Sequence, residues 1–192
     1  MRIVSYPGDA SWTSGLLALF SATGCGCHCR YWHFEGDKND WQARLAFDVD
    51  ENRRELDEAA RAGSDEAAGL VAEEGGEVVG WLGLAPLDRT PKIAEARYYR
   101  SLLLPRRPGE WAVKCVLVRP DWRMRGVSLA LAEAALDEVL RRGGRSVVAF
   151  PRVCAGRLPD EAHLRGTASI FERAGFLRVG GDDAFPLLRR EA

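Results

Sequence analysis

The chain has almost no net charge: 27 Lys and Arg residues against 28 Asp and Glu leave −1 over 192 residues. A broad nucleic-acid or anionic-membrane surface is therefore not implied. No run approaches the roughly 20 apolar residues that a membrane helix needs. The opening MRIVSYPGDASW has no long apolar core of a secretory signal, so a cytoplasmic location is expected. The five cysteines, Cys25, Cys27, Cys29, Cys115 and Cys154, are odd in number and, with no signal peptide, read as reduced thiols rather than a disulfide framework. Neither G-x-x-x-x-G-K-[ST] nor a G-x-G-x-x-G after a strand is present, which sets aside a P-loop nucleotidase and a dinucleotide-binding unit. What is present is 46% hydrophobic residues in one chain of this length, enough for a single well-buried domain and short for two.

The most informative stretch is WAVKCVLVRPDWRMRGVSLALAEAALDEVLRRGG, Trp111 to Gly144. Trp111 to Val118 is an apolar run closed by Pro120, which predicts a buried strand. From about Gly126 to Arg142 the period becomes helical, with Val127, Leu131, Ala134, Ala135 and Val139 on one face. Glu133, Asp137, Glu138, Arg141 and Arg142 occupy the other. Asp137 with Arg141 and Glu138 with Arg142 are spaced for exposed ion pairs, and Gly143-Gly144 stops the helix. No acid stands in its first turn. Arg123 and Arg125 precede it instead, adding positive charge to an end that is already positive, and Gly126 lets backbone approach a ligand closely. The pattern favours an anion at the helix start.

This segment, Arg123-Met-Arg-Gly126-Val-Ser128 with Val118-Arg-Pro120 before it, resembles the acetyl-CoA signature of the GNAT acyltransferase superfamily: Gln or Arg, two residues, Gly, one residue, then Gly or Ala. Ser128 departs mildly from the last position. A second stretch, Gly166 to Phe176 (GTASIFERAGF), resembles the family's other signature, a helix ending in an aromatic residue, three more residues, then Gly-Phe. The resemblance spans about Val71 to the C-terminus. It implies an α/β (α+β) domain: a mixed, twisted central sheet of six to seven strands with helices on both faces, splayed between the fourth and fifth strands. The Cys25-to-Phe34 segment also resembles the N-terminal region of an actinobacterial-type subgroup of that superfamily.

Along the chain, Arg2 to Ser5 predicts a strand and about Ala10 to Ser21 a helix capped by Asp9 or Ser11. GCGCHCRYWHF invites a metal reading, but cysteines spaced by one do not match paired zinc ligands, and a substrate-side loop or strand packing Tyr31, Trp32 and Phe34 against the core is expected instead. Asn39 to Phe47 and Asp50 to Ala62 predict helices, the first turning Trp41, Leu45 and Arg44 inward, the second burying only Leu56, Ala59 and Ala60. Ala68 to Glu73 and Glu77 to Ala85 form a hairpin about Gly75-Gly76. Pro86 to Glu110 reads as a long loop bordering the site. Ser146 to Phe150 is a strand, Cys154 to Arg165 a loop, and Phe176 to Gly180 and Ala184 to Leu188 the last strands. Residues 1–65 make a helical substrate side and 66–192 the remaining core of one domain.

The resemblance implies acetyl transfer from acetyl-CoA to a primary amine of a small molecule or protein, by direct attack in a ternary complex. Val116, Leu117 and Val118 would meet the pantetheine arm. Amides of Met124, Arg125, Gly126, Val127 and Ser128, with the Arg123 and Arg125 side chains, would hold the pyrophosphate. Many relatives place a proton-donating tyrosine where this chain has Phe171, which would only line the cofactor. Ser169, Thr167 or water would then protonate the departing thiolate, or it leaves unassisted. Relatives often carry a glutamate base near positions that here are Ala112 and Lys114. Glu110, at the same parity, is the first candidate in its place, with His163 and Glu35 behind it and water relay as the other route. Cys115 reads as a small buried hydrophobe rather than a covalent acetyl carrier. The missing tyrosine and base also leave open a non-catalytic module that holds acetyl-CoA. No metal is expected, and a homodimer, common among relatives, has no readable signal.

Overall fold

In the computed structural model, residues 1–8, 11–94, 97–153 and 165–192 are described. Seven strands form one sheet in the order β1-β2-β3-β4-β5-β7-β6. They are β1 (Arg2–Tyr6), β2 (Gly69–Glu74), β3 (Glu77–Pro86), β4 (Glu110–Val118), β5 (Ser146–Ala149), β6 (Leu177–Gly181) and β7 (Pro186–Glu191). All pairings are antiparallel except β4 with β5. Parallel neighbours need a crossover, and α6 (Val127–Arg141) supplies it. Val127, Leu131, Ala132, Ala135 and Val139 bury its stripe against Val79, Leu82, Val113 and Val116 of the sheet.

The opposite face is covered by α1 (Ser11–Ala22), whose Leu16, Leu19 and Phe20 pack with Val71, Trp81, Cys115 and Leu117. Two further helices, α2 (Lys38–Phe47) and α3 (Val49–Arg61), follow it. Trp41 is buried as expected, whereas Leu45 is 39% exposed; α3 buries Asn52 along with Leu56, because the Asn52 side-chain amide donates to Gly26 O at 3.1 Å.

Three expectations are narrowed or revised. Of the loop or strand expected from Cys25 on, the loop is what forms: His28 and Cys29 have φ of 45° and 60°, and a 3₁₀ turn, Arg30–His33, follows. The stretch after Pro86 is not a bare loop. It forms a 3₁₀ turn at Leu87–Arg89 and two short helices, α4 (Pro91–Ala94) and α5 (Arg97–Leu102). Ile93, Tyr99 and Leu103 bury there against Trp32, Ala112, Val148 and Phe150, a tertiary contact that no local period announces. Finally, Glu138 belongs to the buried side of α6, at 5% exposure. It accepts from Ser5 Oγ at 2.7 Å and from both Arg141 and Arg142. Burial pushes its carboxyl up, but these hydrogen bonds hold it below the usual carboxylate range. They pin the end of α6 to β1. Asp9, Ala10, Cys154 and His163 lie outside the described residues.

Candidate functional site

Where β4 and β5 part, the sheet has a gap in its pairing, the candidate cleft. The two pair only through Glu110↔Ser146, Trp111↔Val147 and Ala112↔Val148, and β5 ends at Ala149. β4 runs on to Val118, held from its other side by β3 through Leu82↔Val116 and Gly80↔Val118. The edge from Val113 onward thus has no β5 partner, and an unpaired strand edge offers backbone N–H and C=O groups to an extended ligand. Val116 and Leu117 are buried with side chains on opposite faces, Val116 toward α6 and Leu117 toward α1; Val118 packs against the α6 cluster.

Beyond Val118 the chain makes a 3₁₀ turn, Pro120–Trp122, and reaches the start of α6. Gly126 caps that helix with φ 80° and offers no side-chain acceptor, and no acid follows in the first turn. A Cβ on Gly126 would meet nothing within 4 Å, so open space lies above it. The left-handed conformation, and not crowding, is what asks for glycine there. Met124 also has positive φ, 62°, and is fully exposed. Arg123 and Arg125 are exposed, with the Arg125 guanidinium 4.9 Å from the Trp122 ring centroid. Val127 faces the core and Ser128 is half-buried. The geometry suits an anion: unpaired helix N–H groups, a positive dipole end, and two arginines alongside.

The other expected residues fall differently. Phe171 on α7 (Ala168–Arg173) is fully buried, its ring 5.2 Å edge-on from Phe176. A Cβ on Gly166 would sit 2.8 Å from the Phe171 ring and 3.3 Å from Val116 Cγ2, so the start of α7 abuts the cleft strand. Ser169 is exposed, with its Oγ 3.1 Å from Thr167 Oγ1. Glu110 stands at the closed end of the cleft, on the first paired residue. Its Oε1 accepts from Arg189 Nε at 2.7 Å and from Ser146 Oγ at 3.5 Å, and it is 3% exposed. That carboxylate is committed to holding β4 to β7, and its position lends a base role no support. Glu35 is exposed on the surface.

What the sequence reading missed is Lys114. Between Gly83↔Cys115 and Leu84↔Val113 the β3–β4 register shifts, leaving Lys114 as the extra residue of a β-bulge at the point where the cleft begins. Its 2%-exposed side chain turns to the α1 face beside Cys115. Nζ donates to Glu66 O and, at 3.2 Å, to His33 Nε2, while His33 Nδ1–H donates to Arg89 O at 2.7 Å. Burial lowers the Lys114 ammonium to about 8, against a counteracting pull from Cys29. Burial, then the charges of Lys114 and Arg30, lower His33 to about 2, so it is neutral at any ordinary pH. Trp32 Nε1 donates to Lys114 O at 2.7 Å, which fixes the bulge from the N-terminal segment. A two-strand register shift leaves no mark in a single sequence.

No group of three or more His, Cys, Asp or Glu residues that could hold a metal ion occurs among the described residues. No helix among them is long and apolar enough to cross a membrane.

The fold matches solved structures at low identity. The PaiA N-acetyltransferase from Thermoplasma acidophilum, solved with coenzyme A, aligns with a TM-score of 0.56 at 9% identity over 100% of both chains. The putative acetyltransferase YncA from Salmonella typhimurium, solved with acetyl-CoA, aligns at 0.53 and 17% over 100% of this chain and 94% of its own. A ribosomal-protein-alanine N-acetyltransferase from Brucella melitensis aligns at 0.53 and 18% over 100% of both. No curated protein matches. The family model described as "Acetyltransferase (GNAT) family" matches residues 28–155, which starts well before Val71 and stops short of the second signature. Because that match takes in two thirds of the chain, and the sheet parts between β4 and β5 ahead of a glycine-capped helix, the chain belongs to the GNAT acetyltransferase family.

Proposed function

We propose that this chain is an acetyl-CoA-dependent N-acetyltransferase that acetylates a primary amine of a small molecule or protein by direct attack within a ternary complex. The observation that carries the reading is the three-residue pairing of β4 with β5, which leaves a strand edge leading straight to the Gly126 turn. Val116, Leu117 and Val118 present that edge to the pantetheine arm. The amides of Met124 to Ser128, with Arg123 and Arg125, receive the pyrophosphate. The fit rests on the uncapped, acid-free start of α6 and on the open space above Gly126. Acetyl-CoA, when bound, supplies an activated thioester carbonyl and a thiol leaving group of modest pKa.

The chain's own contribution is orientation and exclusion more than proton transfer. Phe171 lines the wall beside Val116 and donates nothing. The Thr167–Ser169 hydroxyl pair, next to Gly166 at the same wall, is the nearest candidate to protonate the departing thiolate. His33 is too weakly basic to serve at neutral pH, and Glu110 is tied to Arg189, so the acceptor's proton passes to water. The Cys25-to-Phe34 segment supports placing the chain with the actinobacterial-type subgroup that shares it. Incubation with acetyl-CoA and a panel of amines, followed by free-thiol release, tests the reading. Amine-dependent release is expected. Measurable CoA binding with no release from any amine would overturn it in favour of a non-catalytic acetyl-CoA-holding module.

A further inference from the structure

Four of the five cysteines meet behind β4, on the face away from α6. Cys25 Sγ lies 3.3 Å from Cys27 Sγ, and Cys115, from a strand about ninety residues later in the sequence, shares one buried cluster with Cys25 and Cys29. Cys29 Sγ accepts from Trp81 Nε1 at 3.2 Å. A Cβ on Gly83 would fall 3.3 Å from Cys29 Sγ and 3.1 Å from Trp81 Nε1, so glycine at this point of β3 keeps the space the cluster uses. Cys25, Cys29 and Cys115 are buried and Cys27 is half-buried, which makes it the member nearest solvent.

We propose that Cys25 and Cys27 are a redox-active dithiol, oxidised to an intrachain disulfide by hydrogen peroxide or a related two-electron peroxide. All four cysteines are free thiols in the structure, and Cys25 is the nucleophile. The neighbouring Cys115 and then Cys27 thiols, the latter in direct contact at 3.3 Å, favour its thiolate and bring it down to about 3, with His28 adding a smaller favourable charge. The same neighbours push Cys27 and Cys115 up, so both stay protonated. Cys25 S⁻ attacks one peroxide oxygen; an S–O bond forms, the O–O bond breaks, and hydroxide leaves to become water with a proton from solvent. Cys27, giving up its proton, then attacks the Cys25 sulfur. An S–S bond forms, the S–O bond breaks, and the second oxygen departs as water with that proton. The two sulfurs lose two electrons and the two peroxide oxygens gain them. The neighbouring sulfurs are already in contact, so closure asks for a movement of little more than an ångström toward an S–S bond of about 2.05 Å. This chemistry does not depend on which amine is acetylated.

The test uses the full chain. After mild hydrogen peroxide treatment, free thiols are blocked with N-ethylmaleimide under denaturing conditions and the protein is cut with trypsin. Residues 3–30 hold Cys25, Cys27 and Cys29 on one peptide, residues 115–123 hold Cys115, and residues 153–157 hold Cys154. The expected result is loss of two labels from peptide 3–30, with Cys115 and Cys154 fully labelled, and recovery of both labels after dithiothreitol. Full labelling of every peptide, or a crosslink from peptide 3–30 to Cys115 or Cys154, would overturn the proposal. So would stoichiometric zinc in the reduced protein, which would make the cluster a metal site. In Cys27→Ser, the sulfenic acid on Cys25 should persist and be captured by dimedone; no capture there, with the wild-type disulfide also absent, refutes the assignment of Cys25.

Discussion

Glu110 shows how one residue's surroundings decide its role. Sequence parity makes it a candidate base, but the folded chain gives it Arg189 at 2.7 Å and leaves both side chains under a tenth exposed. Oε2 has no hydrogen-bond partner among the described residues, so the carboxylate depends heavily on that one arginine. Removing one member of a buried ion pair strands the other charge, at a cost of about 3–5 kcal/mol. Glu110→Gln should therefore lower the unfolding midpoint by several degrees. At a temperature where the variant is folded, acetyl turnover per molecule should stay within about twofold of the parent, since a lost general base typically costs about 10²-fold or more. A collapse in turnover with an unchanged unfolding midpoint would restore Glu110 to the chemistry.

At the scale of the element, α6 is built with its start weaker than it need be. Its apolar stripe and the Glu138 anchor secure the middle and end, while the first turn lacks the acid that would complement the dipole. Such a deficit is understandable if an anionic ligand supplies the missing charge. Ser128→Glu separates the two requirements. The added carboxylate should stabilise the free protein by about 0.3–1 kcal/mol through the helix dipole. It should also weaken acetyl-CoA binding by tenfold or more, because it puts negative charge where the pyrophosphate is proposed to sit. Thermal melts and calorimetric titration of the same preparation read both effects. Equal affinity for parent and variant would move the pyrophosphate elsewhere.

For the molecule as a whole, the polar layer between the sheet and the N-terminal helices makes stability depend on pH. Arg30 donates to Glu55 and Glu66 at 3.0 Å each and Arg44 pairs with Glu55, tying the 3₁₀ turn to α2, α3 and the Asp65–Ala67 turn ahead of β2. His33 sits in this layer beside Lys114. It stays neutral when folded down to about 2 but takes a proton near 6.5 when unfolded. The unfolded state thus binds more protons across that window, and stability falls as pH drops below 6.5. Between pH 7 and pH 5 the loss from this one group is about 2 kcal/mol. Lys114 acts in the same direction higher up: stability rises from about pH 8 toward 10.5, as the folded amine sheds a proton that the unfolded one keeps. Urea unfolding at pH 5, 6 and 7 should show a steep decline for the parent and a shallow one for His33→Gln. Equal slopes would assign the acid sensitivity to other groups.

Much of this was already written locally. The apolar run to Val118, the helical period after Gly126 and the Gly75-Gly76 turn each follow from nearest-neighbour preferences, and the observed elements start and stop within a residue or two of them. The arginines before an acid-free helix start likewise predict a place that suits an anion, because dipole and charge act over a single turn. The sequence by itself therefore determined the strand–turn–helix unit and the anion it suits. Only the tertiary structure decided that β4 parts from β5 after three pairs, that Lys114 bulges at that point, that Glu110 is tied to Arg189, and that Cys115 joins Cys25, Cys27 and Cys29. Each of those joins residues tens of positions apart, and such contacts are fixed by strand register and packing, which the spacing of residues along one chain does not encode.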